Sequence, residues 1–61
     1  MNIKTTRREL DRAWTRTLKS QQRLNKNSAT YAEDWESLTR ILSGIEDAQN
    51  ALDDLEVNHA K

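Results

Sequence analysis

The chain has 61 residues, of which ten are Lys or Arg and ten are Asp or Glu, with one His and no Cys or Pro. A chain of this length forms at most one small domain, because it can bury only about 60% of the surface that its unfolded form exposes. The composition excludes disulfides and leaves no ligand set for a structural zinc ion, so we expect association with another molecule to supply the missing stability.

The sequence also indicates where the protein works. No segment approaches the roughly 20 apolar residues of a membrane-spanning helix, and the start MNIKTTRREL lacks the apolar segment of a secretory signal. These features predict a cytoplasmic protein. Binding of the first predicted helix to a membrane surface is disfavoured because the second helix needs its apolar face.

Opposite charges are concentrated in the two halves of the chain. Residues 1–26 contain eight basic and two acidic side chains, a net charge of +6, and residues 27–61 contain two and eight, a net charge of −6. Charge asymmetry of this kind bears on the partners of a protein rather than on its fold.

The first predicted element is a helix over about residues 6–25. Thr6 and Glu9 have the spacing of a capping box, in which the hydroxyl and the carboxylate satisfy free backbone donors at a helix start. The apolar face has helical spacing and consists of Leu10, Trp14, Thr17, Leu18, Gln21 and Leu24, with Ile3 in phase one turn earlier. Asparagine and serine at 25–28 then favour a turn.

The second predicted element is a longer helix over about residues 30–57. Thr30 and Glu33 form a second capping-box pattern. Two apolar rows repeat every seven residues, which is typical of helices that supercoil around a partner. They consist of Tyr31, Leu38, Ile45 and Leu52, and of Ile41, Ala48 and Leu55. Ser43 and Gly44 allow a break into a third helix, but the apolar phase continues through them, which favours one helix.

A short loop between two helices predicts an antiparallel two-helix hairpin, an all-α fold occupying residues 1–61, with frayed ends at 1–5 and 58–61. The first helix is too short to cover the second beyond about Asn50, so Leu52 and Leu55 should overhang. We therefore expect a homodimeric helical bundle in which two hairpins cover each other. The predicted dimer interface consists of Ile41, Ile45, Ala48, Leu52 and Leu55.

A row of basic side chains lies opposite the apolar face of helix 1. It consists of Arg8, Arg12, Arg16, Lys19, Arg23 and Lys26. Such a row has the spacing to follow the phosphates of a nucleic acid, but it also serves as a solvated face or as a contact for an acidic protein surface. A helix-turn-helix is disfavoured because residues 45–57 carry no Lys or Arg.

The remaining polar and aromatic residues favour structural roles. Adjacent acids such as Asp53 and Asp54 point about 100° apart on a helix and cannot share a metal ligand or act as an acid–base pair. Trp14, Trp35 and Tyr31 are predicted to be core residues rather than exposed anchors, with Trp35 packing near Leu18 or Gln21. His59 is predicted to lie in the frayed tail. Without a catalytic motif or a cofactor site, the chain does not resemble an enzyme.

The capping boxes at residues 6–9 and 30–33 and the seven-residue repeat from Tyr31 to Leu55, in a chain without Cys or Pro, resemble the small helical proteins of temperate, lambda-like phages. The resemblance implies an early-region accessory protein that binds host proteins or biases development between lysis and lysogeny.

The sequence therefore favours a non-catalytic regulatory protein, a dimeric module for protein–protein interaction with exposed basic and acidic faces. The alternative is a nucleic-acid-binding regulator that uses the basic row of helix 1. Neither hypothesis calls for a small-molecule substrate or a cofactor.

Overall fold

The computed structural model describes the backbone of residues 2–60 and the side chains of residues 2–59. Over this range the chain forms two helices, α1 (Ile3–Gln22) and α2 (Tyr31–Ala60), and no strand. The helices pack against each other as an antiparallel hairpin. The predicted all-α hairpin is confirmed, whereas its assembly into a homodimer stays a prediction.

α1 begins three residues earlier than predicted, and the capping box assigned to Thr6 and Glu9 is wrong. Asn2 is the N-cap, and its side chain accepts a hydrogen bond from the Thr5 N–H. The Thr6 hydroxyl instead donates to the Asn2 carbonyl at 3.0 Å. Asn is at least as good an N-cap as Thr, and the earlier start adds Ile3 to the apolar face.

The connection between the helices spans residues 23–30, twice the length predicted. At the end of α1 the Arg23 N–H is shared between the Lys19 and Ser20 carbonyls, and the Leu24 N–H bonds to the Gln21 carbonyl three residues back, which tightens the last turn. The Asn25 side chain then accepts from the Asn27 N–H at 2.9 Å, and the Ser28 N–H donates to the Asn25 carbonyl at 3.0 Å. These local bonds are the turn chemistry expected of Asn and Ser.

α2 is one continuous helix, so the three-helix alternative is excluded. It begins at Tyr31, one residue after the predicted start, and the capping box predicted for Thr30 and Glu33 is wrong. The Thr30 hydroxyl instead donates to the Asp34 carboxylate at 2.9 Å, and the Thr30 N–H donates to the Ser28 hydroxyl at 3.3 Å. Gly44 lies inside the helix without ending it. Residues 3–5 and 58–60, predicted to be frayed, are helical, while Met1 and Lys61 lie outside the described residues.

Three hydrogen-bonded pairs fix the register between the helices. They are Arg7 with Asp53, Asp11 with Gln49, and Gln21 with Thr39. In each pair the residue numbers add up to 60. An α1 residue therefore lies at the same height along the hairpin as the α2 residue whose number is 60 minus its own. Ile3 lies level with Val57, and Gln22 lies level with Leu38.

The predicted overhang at Leu52 and Leu55 is therefore wrong. Leu52 is the most buried apolar side chain among the described residues, 5% exposed, and Leu55 is half-buried. The predicted helices, which ended at about residue 25 and began at about residue 30, would have paired residues whose numbers add up to about 55. The observed sum is larger by about five, so the longer connection shifts α1 along α2 by about five residues, or roughly 7.5 Å. The uncovered part of α2 is instead its first two turns, 31–37, which lie level with the connection.

The hairpin is a rod of 51 × 15 × 13 Å with little interior. Its radius of gyration is 14.7 Å, whereas a compact chain of this length would have about 10 Å. Among the described side chains only Leu52 and Gln21 are buried. Most of the apolar side chains between the helices are only half-buried, so the fold leaves apolar surface to be covered.

Candidate interaction surfaces

The contact between the helices is a seam of side chains spaced alternately four and three residues apart, as in a coiled coil. On α1 and just beyond it, the seam consists of Ile3, Arg7, Leu10, Trp14, Thr17, Gln21 and Leu24. On α2 it consists of Trp35, Leu38, Leu42, Ile45, Gln49, Leu52 and Glu56. The seam therefore mixes apolar side chains with Arg7, Gln21 and Gln49, which all bond across it.

Arg7 connects the two helices near their far end from the connection. Its Nη2 lies 2.6 Å from Asp53 Oδ1 and 2.9 Å from Glu56 Oε1, and its Nε donates to the same Glu56 oxygen at 3.2 Å. These hydrogen bonds, that of Asp53 first and then that of Glu56, raise the pKa of Arg7 above its ordinary value. Arg7 is thus a cation used within the hairpin.

Two glutamines connect the helices elsewhere. Gln49 Nε2 donates to Asp11 Oδ1 at 2.8 Å near the middle of the hairpin. Gln21 Nε2 donates to Thr39 Oγ1 at 2.7 Å and to the Trp35 carbonyl at 3.1 Å near the connection. The Trp35 carbonyl therefore lies beside Gln21, whereas the prediction concerned the packing of the Trp35 ring.

One side of the seam, which we call the polar flank, supplies a partner to three of these bonds. On α1 it consists of Lys4, Asp11 and Leu18, and on α2 of Thr39, Glu46 and Asp53. Every bond between the helices uses Asp11, Thr39 or Asp53, or the neighbouring Trp35 carbonyl and Glu56 of the seam. Since these residues bond across the seam, the polar-flank positions of the two helices face each other.

The other side of the seam has a different character, and we call it the apolar flank. On α1 it consists of Thr6, Ala13 and Ser20, and on α2 of Ile41, Ala48 and Leu55. No hydrogen bond or ion pair joins the helices here among the described residues. The Thr6 hydroxyl is occupied by the Asn2 carbonyl of its own helix, and Ile41 is 50% exposed. On this side the hairpin thus presents an apolar row of α2, and no hydrogen bond or ion pair between the described residues joins its helices.

The next positions outward from the apolar flank on α2 are small or short side chains. They consist of Ser37, Gly44, Ala51 and Asn58, all exposed. A Cβ atom added at Gly44 would meet nothing within 4 Å, so this part of α2 faces open space. Small side chains next to an apolar row let a second helix approach closely.

The basic face consists of Arg8, Arg12, Arg16, Lys19, Arg23 and Lys26, and all six are exposed. The ion pairs of the described residues involve only Arg7 and Arg40 as cations, so no member of the basic face is paired. Because α1 ends earlier than predicted, Arg23 is its C-cap and Lys26 lies in the connection. The helical part of the row therefore runs from Arg8 to Lys19.

A shallow depression of about 320 Å³ lies on the basic face. Its lining residues are Arg8, Asp11, Arg12, Thr15 and Arg16. All of them belong to α1, so the depression is a gap between side chains of one helix, with no second wall to enclose a small molecule.

The residues predicted for the dimer interface fall into two groups. Ile45 and Leu52 belong to the seam within the hairpin. Ile41, Ala48 and Leu55 belong to the apolar flank, where Ile41 and Ala48 are exposed and Leu55 is half-buried. Only the second group is placed for contact with another molecule.

The aromatic residues lie partly at the surface. Trp14 and Tyr31 are half-buried, but Trp35 is 42% exposed, so its predicted core position is wrong. The physical reason is the register, since Trp35 lies beyond the end of α1. Its ring packs instead on Tyr31, with centroids 5.9 Å apart and a tilt of 38°.

Sequence reasoning missed Arg7 and Gln49 as bonds between the helices. The signal was available in the alternation of four and three residues from Ile3 through Arg7 to Leu10, which places Arg7 in the seam. His59, predicted to lie in a frayed tail, is an exposed residue of the last turn of α2. The described residues contain no group of three or more side chains that could hold a metal ion.

Comparison with protein-family models, with curated proteins and with solved structures finds no match to this chain. Neither of the two described helices combines the length and the apolar character needed to cross a membrane.

Proposed function

We propose that this protein is a small non-catalytic regulatory protein, a homodimeric helical module that presents charged faces to other macromolecules. The observation that carries the proposal is its surface area. The hairpin exposes 4968 Å², whereas a monomeric protein of this mass exposes about 4,100 Å². The excess of about 900 Å² is close to the roughly 800 Å² that each partner buries in a standard protein interface.

The apolar flank is the surface on which this area is best buried. Ile41 and Ala48 are exposed there and Leu55 is only half covered, while the charged side chains that bond the helices lie in the seam or on the polar flank. Placing two apolar flanks together completes a four-helix bundle, in which each helix packs against two neighbours. Most of the basic face of each α1 then stays available for a further partner.

Analytical ultracentrifugation of the full chain and two variants tests the dimer. We expect a dimer for the natural sequence, a monomer for Ala48→Glu, which puts a charge on the apolar flank, and a dimer for the control Ala32→Glu. Ala32 is also an exposed alanine of α2 but occupies a polar-flank position. Circular dichroism shows whether each variant remains helical, and Ile41→Ser serves as a second flank variant. A natural chain that sediments as a folded monomer at about 100 μM contradicts the proposal, since an interface of standard size would hold a dimer there.

A second candidate function is nucleic-acid binding by the basic face. The observation that favours it is that all six cations are exposed and none is paired. Contact with about six phosphates would give a slope near −5 for log affinity against log salt.

A gel-shift titration tests this candidate. Changing Arg12, Arg16 and Arg23 to Glu should abolish binding, while the control Arg40→Glu, on the other helix, should have a much smaller effect. Binding that is the same with and without the triple change excludes the basic face as the nucleic-acid contact and removes this candidate function.

A further inference from the structure

The dimer proposed above can be built in two symmetric ways, and the charges of the helices distinguish them. If the twofold axis runs along the bundle, α1 of one copy faces α2 of the other over the interface, and the two connections are at the same end. If the axis runs across the bundle, α1 lies on α1, α2 lies on α2, and the connections are at opposite ends. Both arrangements bury the same apolar flanks.

The summed charges favour the first arrangement. α1 carries six basic and two acidic side chains, a net charge of +4, and α2 carries one basic and eight acidic, a net charge of −7. Packed helices lie about 8–10 Å apart, which is comparable with the Debye length of about 8 Å at physiological salt. Neighbouring helices across the interface therefore feel each other's charge, and the second arrangement would place like charges side by side.

One pair of charges beside the apolar flank fits the first arrangement. With the axis along the bundle, Arg16 of one copy lies level with Gly44 of the other, about one helical turn from Asp47. Glu9 and Arg40 are exceptions, because each would lie near like charge in this arrangement. The choice between the two arrangements therefore rests on the summed charges of the helices, +4 for α1 and −7 for α2. From this juxtaposition we infer that the occupant of the apolar flank is a second copy of the chain, bound with its α1 across α2 and with both connections at one end of the bundle.

The inference rests on the proposed dimer and is tested on the full chain by pulsed electron spin resonance. Because the natural sequence has no Cys, Asn27→Cys places a single spin label in the exposed connection. The inferred arrangement puts the two labels within about 30 Å, a few helix spacings. The opposite arrangement puts them more than about 40 Å apart, close to the length of α2. Thr15→Cys, exposed near the middle of α1, is the control that gives a short distance in either dimer.

A charge exchange provides an independent measurement. Arg16→Glu and Asp47→Arg should each weaken the dimer by roughly two- to five-fold, as expected for an exposed pair, and the double variant should recover most of the loss. The two residues lie on opposite outer sides of one hairpin, so such recovery reports a contact between copies. Short Asn27 distances with recovery support the inference. Long Asn27 distances with short Thr15 distances overturn it and leave the dimer intact, whereas a monomer in both label experiments overturns the dimer itself.

Discussion

At the scale of single residues, Gln21 is the clearest case of a polar group that specifies the fold. It is 6% exposed, the only buried polar side chain among those described. Its amide nitrogen bonds to Thr39 and to the Trp35 carbonyl, while the Thr39 hydroxyl donates to that same carbonyl at 2.9 Å. A shift of the helices along each other would break these bonds, so Gln21 favours one register over its neighbours.

Gln21→Ala should lower the free energy of unfolding by about 1–3 kcal/mol, because it removes a buried hydrogen-bonding group and leaves its partners less satisfied. The control is Gln22→Ala, which changes the adjacent exposed glutamine and should alter stability by less than about 0.5 kcal/mol. Urea denaturation at one protein concentration measures both variants. Equal losses for the two variants would show that the bonds of Gln21 do not contribute to stability.

At the scale of elements, α2 continues through Gly44 because packing outweighs propensity. The seam residues Leu42 and Ile45 on either side of the glycine both pack against α1 and keep the helical phase. Glycine in a helix interior costs up to about 1 kcal/mol relative to alanine. Nothing lies within 4 Å of the position that its missing Cβ would occupy, so the site has room for a side chain.

Gly44→Ala should therefore stabilise the hairpin by up to about 1 kcal/mol and raise the melting temperature by about 4–8 °C. The reverse change at an exposed α2 position, Ala51→Gly, should lower it by a similar amount. Thermal unfolding followed by circular dichroism measures both. The opposite outcome is expected only if a second copy packs directly over Gly44: the variant would then lower the melting temperature, and this decrease would become larger as the protein concentration rises.

The elements also show what the sequence can predict. The two helices and the continuity of α2 follow from the apolar periodicity, which depends on spacing along the chain alone, and their antiparallel packing follows from the short loop between them. The start of α1 was misplaced because Asn2 and Thr6 are both suitable N-caps, and choosing between them depends on what Ile3 packs against. The register was misplaced because the length of the connection depends on hydrogen bonds around Asn25 and Ser28 that no periodicity encodes. Those two errors together produced the wrong overhang at Leu52.

At the scale of the whole molecule, opposite charges on the two helices are mostly left unused within the hairpin. Arg7 is the only α1 cation of the described residues that pairs with α2. Its raised pKa means that the folded state favours its charged form, so the stabilisation is fully present below the ordinary pKa of arginine and is lost only as pH rises through the raised value. Across the neutral pH range the ion pairs of Arg7 therefore contribute a constant amount to the free energy of unfolding. This contribution changes with the salt concentration instead.

Arg7→Gln should therefore lower the unfolding midpoint more than Arg8→Gln does. Both changes remove one positive charge from α1, but only Arg7 bonds to Asp53 and Glu56, whereas Arg8 belongs to the unpaired basic face. The difference between the variants should shrink as sodium chloride rises to about 1 M, where the Debye length falls to about 3 Å. Urea midpoints measured across the salt series test this expectation. If Arg8→Gln is as destabilised as Arg7→Gln, then α1 contributes to stability through its net charge rather than through the contact of Arg7 across the seam. In that case the two helices would be held in register by Gln21 and Gln49 alone among the polar side chains of the seam.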